Sequence, residues 1–291
     1  VTGAPIPFVK GHGTGNDFVV LTDLAGELPL SAGLVASLCD RRFGIGGDGI
    51  LAVRRTVDVP EVADQAGLAP YFMDYRNADG SVAQMCGNGA RVFVAHLIAE
   101  GLAEPGGFHI STRGGTRSVR FRPGAQICVD MGPARFLPDE GITVRPVDAP
   151  DGAAPTPALG VLMPNPHAVT WVEDLAAAGA LHERPVVTPA RAYPEGVNVE
   201  FVRVLADDHV EMRVFERGVG ETLSCGTGAC AVAVATVRRA GSQPAGQRVR
   251  VDVPGGTVHV VWLATGDVEL HGPAEFVARG EIDPGWWAAH V

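Results

Sequence analysis

Two segments of the 291-residue chain, Met85-Cys86-Gly87-Asn88-Gly89-Ala90 and Ser224-Cys225-Gly226-Thr227-Gly228-Ala229, each set a cysteine before a glycine-rich turn that opens into an apolar run. They are the most visible part of a longer internal repeat. Cys225 follows Cys86 by 139 positions, and Glu216 follows Asn77 by the same number. Asn165 follows Asn16 by 149, as Gly196 and Val199 follow Gly47 and Ile50. Gly114-Gly115-Thr116 and Gly132-Pro133-Ala134 return as Gly255-Gly256-Thr257 and Gly272-Pro273-Ala274, at offsets of 141 and 140. Anchors in one order, with offsets that drift by a few residues, require two copies of one domain, so each copy must bury a core of its own.

Local pattern gives the content of a copy. Phe8 to Leu21 reads as strand, polar turn and strand, with Asn16 in the turn. Ser31 is placed to cap a helix through Leu34, Val35 and Leu38, and Ile50 to Val53 and Tyr71 to Tyr75 read as strands. The run Arg91 to Ala99 is apolar around nearly its whole circumference, which demands enclosure, and Gly101 supplies its stop. Phe108 to Thr112, Ser118 to Arg122 and Ile127 to Met131 follow as strands, with turns at Gly114-Gly115 and Pro123-Gly124. In the second copy Val199 to Val202 is a strand, Ala229 to Arg239 a small apolar helix and Gly241 its stop, while Val147 to Pro157 reads as a surface connection. The expected fold is α+β: two pseudo-symmetric domains, each a mixed, largely antiparallel sheet wrapped around a central helix.

Charge and composition exclude several classes. A net charge of −10 argues against a nucleic-acid groove or an anionic membrane surface, and no apolar stretch approaches the ~18 residues of a spanning helix. The first residues carry no basic region followed by an apolar one, so no secretory signal is expected and the cytoplasm is the expected location. Five cysteines without a C-x-x-C pair fit neither a disulfide framework nor a zinc ribbon, and no metal site is expected. Lys10 is the single lysine beside 22 arginines, which leaves one candidate for a Schiff base and makes pyridoxal phosphate an improbable cofactor. Gly44 to Gly49 resembles a phosphate loop but lacks the Lys-Ser or Lys-Thr pair and precedes a strand.

A thiol at a helix N-terminus has its pKa lowered by unpaired N–H groups and the helix dipole, and the same donors cradle a carboxylate. Glycines beside it let a ligand approach the backbone. Two such turns facing each other would grip one carboxylate, with a thiolate on one side of the adjacent carbon and a thiol on the other. That is what inversion of an amino-acid α-carbon requires, with no cofactor or metal. Cys39, Cys128 and Cys230 lack this context and read as core residues.

The segments GHGTGNDF, RNADGSVAQMCGNGAR, NPH, GVNVE and ERGVGETLSCGTGA resemble the signatures of the diaminopimelate epimerases, pyridoxal-independent enzymes that interconvert LL- and meso-2,6-diaminopimelate. CGNG or CGTG alone would also suit proline-racemase relatives. The resemblance implies that Cys86 and Cys225 are the acid/base pair. It implies that Gly87, Asn88, Gly226 and Thr227 offer backbone donors to the reacting carboxylate, and that Asn16, Asn77, Asn165, Asn198, Glu216 and Arg217 bind substrate. His167 and Glu216 would tune the thiols, and Arg217 would pair with the distal carboxylate. It further implies domains over 1–131 with a returning tail 273–291 and over 132–272, a cleft between them as the active site, a small-molecule substrate and a possible homodimer. Gly49 stands where many members carry glutamine, so a neighbouring group or water is expected to replace that contact. The alternatives are another cofactor-independent racemase, of proline or hydroxyproline type, and a non-catalytic amino-acid-binding protein with a redox-sensitive cysteine pair.

Overall fold

The structure, a computed structural model, describes residues 3–122, 126–138, 141–150 and 152–291. Contacts divide the chain into two compact units, Val1–Val129 with Pro273–Val291, and Asp130–Gly272. The expected turn at Pro123-Gly124 lies outside the described residues, as does Asp151 of the expected connection.

The first unit opens with strands β1 (Ile6–Gly13) and β2 (Asn16–Thr22), helix α1 (Ala32–Cys39), and strands β3 (Gly49–Arg55) and β4 (Tyr71–Asn77). Helix α2 (Gly87–Ala99) follows, then β5 (Gly107–Ile110), β6 (Arg117–Arg122) and β7 (Gln126–Pro133). The β1–β2 and β3–β4 pairs are antiparallel and β2–β3 is parallel. Ser31 caps α1, its hydroxyl accepting the Leu34 N–H at 3.2 Å. The strand residues Val19, Leu21, Ile50 and Ala52 pack with Leu34, Leu38 and Trp287 on one face of this sheet. Alternation then leaves Phe18, Val20, Leu51 and Val53 for the other face, where α2 lies against β1 to β4. Both faces are covered, which is why these strands read as continuous apolar runs.

The second unit contains β8 (Arg135–Phe136), β9 (Thr143–Arg145), β10 (Thr156–Leu162), β11 (Pro166–Trp171), β12 (Val186–Thr188), β13 (Asn198–Ala206), β14 (His209–Glu216) and β15 (Gly220–Thr222). Helix α3 (Gly226–Arg239) and strands β16 (Gln247–Val253), β17 (Gly256–Trp262) and β18 (Asp267–Gly272) complete it. Here too β10–β11 and β13–β14 are antiparallel and β11–β13 is parallel. The β10, β11, β13, β14, β16, β17 and β18 strands all touch α3, so this sheet curves around its helix. The chain then returns to the first unit, where β19 (Glu275–Ile282) pairs with β1 and α4 (Pro284–His290) brings Trp287 into the core.

The repeat holds to the level of strand register. Phe18 lies opposite Gly49 and His167 opposite Asn198, so the 149-residue offset carries one pair onto the other. The mixed α+β architecture is as expected from sequence. One local reading changes: the glycines after each cysteine form the first turn of the helix itself, because the cysteine is its N-cap.

Arg91 is a cation within the enclosed part of α2. It is 0 % exposed and donates to the Pro273 carbonyl at 3.1 Å, the Gly87 carbonyl at 3.4 Å and the Thr14 hydroxyl at 3.0 Å. Thr14 and Gly15 form the left-handed turn between β1 and β2, with φ of 52° and 84°. A cation inside the core therefore fixes the turn that presents Asn16.

Candidate active site

Cys86 and Cys225 both adopt the extended backbone of an N-cap, with φ/ψ of −141°/120° and −112°/113°. Each sulfur accepts the N–H three residues on, from Gly89 and Gly228, at 3.3 Å. Helix starts leave N–H groups without intrahelical partners, and side-chain oxygens usually satisfy them. Here sulfur takes that place, so charge on sulfur is favoured by the bond and by the helix dipole.

The two thiols have different neighbours. In the first unit Cys86 lies 3.6 Å from Asn16 Oδ1, which also accepts from Asn88 Nδ2 at 3.3 Å. Asn16 Nδ2 donates to Asp48 at 2.8 Å, and Asp48 shares Arg41 with Asp17, which also pairs with Lys10 at 2.6 Å. Burial would raise the Asp17 carboxyl, but bonds from Arg41 and Lys10 hold it well below the usual carboxylate range. This network sets the Gly44–Gly49 turn. The N–H groups of residues 44 to 48 are bonded to the carbonyls of Asp40, Leu38, Cys39 and Asp17, which leaves no donor cradle for a phosphate.

Asn77 is not part of that cluster. Its Oδ1 accepts from the Tyr75 hydroxyl at 2.7 Å and its Nδ2 donates to Ser81 at 2.9 Å. Gly49, directly opposite Asn77, has no room for a side chain: a Cβ there would lie 2.4 Å from the Arg76 carbonyl and 2.9 Å from the Tyr75 ring. The Tyr75 ring thus fills the space beside the position where a longer residue was expected to be missed.

In the second unit Cys225 is 5 % exposed and lies 3.5 Å from the Thr227 hydroxyl. Burial pushes its thiol pKa up and the charges of Glu216 and Glu200 add to this, while bonds with Thr227 and the Gly228 N–H act the other way. Glu216 accepts from Thr222 at 2.5 Å. Burial raises its carboxyl, opposed by bonds from Thr222 and the Cys225 thiol. Asn198 accepts the Arg217 N–H at 2.8 Å, and Arg217 Nη1 donates to the Glu195 carbonyl at 3.1 Å. Among the described residues the Arg217 guanidinium has no carboxylate partner, and it does not pair with Glu216.

His167 is 0 % exposed, with Nδ1 2.6 Å from Glu200 and Nε2 3.0 Å from Asn165 Oδ1. Glu200 is absent from the sequence-derived set. Its signal was a lone carboxylate within the apolar strand Val199-Glu200-Phe201-Val202, in register with Leu51 of the first copy. Cys39, by contrast, sits in the first core, where burial pushes its thiol up to about 12.

The two helix starts differ in tolerance. A Cβ on Gly89 would lie 3.3 Å from the Leu51 methyl, whereas one on Gly228 would lie 2.9 Å from the Glu200 carboxylate. Gly89→Ala is expected to change stability by less than about 1 kcal/mol, helix propensity offsetting crowding. Gly228→Ala is expected to cost about 1–3 kcal/mol. Urea unfolding of the two variants measures the difference.

The diaminopimelate epimerase family model matches residues 8–137 and 160–277. The chain belongs to the diaminopimelate epimerase family. The Streptomyces coelicolor diaminopimelate epimerase is 50% identical over 285 residues, covering 97% of this chain and 96% of that protein. The Thermobifida fusca diaminopimelate epimerase is 45% identical over 281 residues, covering 94% and 97%. The epimerase fold extends to solved structures of low identity. A Bacillus anthracis phenazine biosynthesis protein of the PhzF family aligns with TM-score 0.67 at 15% identity, covering 96% of this chain and 99% of that one. A probable proline racemase from Agrobacterium radiobacter aligns with TM-score 0.66 at 16% identity, covering 95% and 92%. Membership in the epimerase family makes this chain an isomerase.

Proposed function

We propose that this epimerase interconverts LL- and meso-2,6-diaminopimelate by two-base proton transfer at the α-carbon, in the supply of lysine and cell-wall precursors. The reading is carried by one observation: two thiols on matching helix starts, each sulfur bonded to a helix N–H at 3.3 Å. In the proposed reaction the thiolate of one cysteine takes the α-proton and becomes a thiol. The other thiol delivers its proton to the opposite face and becomes the thiolate. Carbanion charge spreads onto the α-carboxylate, held by backbone donors of Gly87, Asn88, Gly226 and Thr227, each worth about 3 kcal/mol by the measure of other oxyanion holes. Cys86 sits among amides and Cys225 beside Glu216, so the pair is chemically unequal before substrate arrives.

The proposed site lies in a cleft between domains 1–131 with 273–291 and 132–272. Arg217, lacking a carboxylate partner of its own, binds the distal carboxylate there, and Asn16, Asn77, Asn165 and Asn198 read the ammonium groups and their stereochemistry. His167 and Glu216 tune the two thiols in this proposal. The enzyme works in the cytoplasm, as a homodimer in this proposal. The test is epimerisation in heavy water: LL-diaminopimelate should acquire deuterium at the α-carbon as the meso isomer forms, while proline, hydroxyproline and glutamate should not exchange. Exchange into proline instead, or ligand binding with no exchange under full reduction, would overturn the assignment.

A further inference from the structure

The buried His167–Glu200 pair has no counterpart in the first unit. The register that carries Phe18 onto His167 and Gly49 onto Asn198 carries Leu51 onto Glu200. Phe18 and Leu51 are fully buried, as His167 and Glu200 are. The same fold is therefore built once with an apolar pair and once with an ionisable pair at the same two places. A buried ion pair adds little stability over well-packed apolar groups, so the second unit does not need this pair in order to fold. One carboxylate oxygen, Glu200 Oε2, is also buried without a hydrogen-bond partner among the described residues, a cost that packing does not repay.

The hydrogen bonds indicate what the pair does. A carboxylate only accepts, so His167 Nδ1–H donates to Glu200 at 2.6 Å. Nε2 faces Asn165 Oδ1 at 3.0 Å, a contact that a proton on Nε2 would turn into a hydrogen bond. Tyr193 holds the strand at the same place, its hydroxyl donating to the His167 carbonyl at 3.2 Å. With Oδ1 engaged, the Asn165 amide turns its NH2 group outward as a donor suited to a carboxylate or another oxyanion. Were the ring free to change tautomer, the amide could turn over and present an acceptor to the same ligand.

We propose that Glu200 is a positioning residue of the active site, acting through His167 to fix which end of the Asn165 amide meets the substrate. The proposal rests on the epimerase reading for the identity of that substrate, but the relay itself is a property of the second unit. Glu200→Leu recreates the first-unit residue and leaves the imidazole alone; Glu200→Leu with His167→Phe recreates the whole apolar pair. Glu200→Gln keeps the shape and removes the charge.

Nitrogen NMR of His167 should show a proton on both ring nitrogens in the wild-type enzyme and on one in Glu200→Gln and Glu200→Leu. The same variants should lose about 10- to 100-fold in kcat/KM for diaminopimelate, mostly through KM, as expected when a group that orients a ligating side chain is removed. The double variant should melt no lower than the wild type yet regain none of the lost activity. Wild-type kcat and KM in the folded double variant would overturn the proposal, as would an unprotonated Nδ1 in the wild-type protein. If Glu200→Leu fails to fold, Glu200→Gln carries both readouts. Absence of diaminopimelate turnover by the wild-type enzyme would count against the epimerase reading instead, since the ring-nitrogen signature is read without turnover.

Discussion

Cys225→Ala is expected to lower kcat/KM for epimerisation by about 10³-fold or more, and Cys86→Ala by a similar factor. A loss of that size corresponds to about 4 kcal/mol of barrier. In the proposed mechanism each variant loses one of two groups that act on opposite faces of one carbon, so neither is rescued by the thiol it retains. The two-thiol proposal makes a sharper claim than loss of activity. A variant with one thiol left can still take an α-proton and return a solvent deuteron to the same face. Each variant should therefore wash deuterium into one stereoisomer of the substrate without inverting it, and the two variants should choose opposite stereoisomers. Heavy-water incubation followed by chiral separation and mass analysis reads both quantities. Rapid epimerisation by either variant would show that a single base suffices.

Arg91→Met is expected to lower stability by about 3–5 kcal/mol. Methionine fills much of the same volume, so the loss comes from polarity. The guanidinium donates to Pro273, Gly87 and Thr14 while 0 % exposed, and without it each of those acceptors loses a charge-assisted bond inside the core. Differential scanning calorimetry should record a melting temperature lower by on the order of 10 °C. The effect extends to the site, because Thr14 belongs to the left-handed turn ahead of Asn16. A variant that kept wild-type stability would mean that water or a neighbouring group replaces these bonds.

The repeat was readable because its anchors are residues with few substitutes: glycines at tight turns, asparagines at strand starts and cysteines at helix starts. The strands that build each sheet followed from apolar runs, and Ser31 marked its helix by ordinary capping chemistry. The thiols stood out for the same reason, since their context occurs twice. Glu200 did not stand out. A single carboxylate in a strand is ordinary in sequence, and only its burial and its 2.6 Å bond to His167 give it meaning. The Lys10–Asp17–Arg41–Asp48 network was hidden in the same way, because its members are scattered over residues 10 to 48 and the turn they hold resembles a phosphate loop. Gly49 was noticed as a gap, but the ring of Tyr75 that explains it lies on the neighbouring strand, where sequence pattern has no reach.

The sulfur that closes each helix start also couples the chemistry of the thiol to the integrity of the backbone beside it. An alkylated cysteine is a poorer acceptor for the Gly89 or Gly228 N–H, so covalent attack on the sulfur releases that amide as well as blocking the thiol. An electrophilic inhibitor of this enzyme thus loosens the first turn of the helix it labels. Amide hydrogen exchange at two glycines then reports which of the two thiols has reacted, without any measurement of turnover.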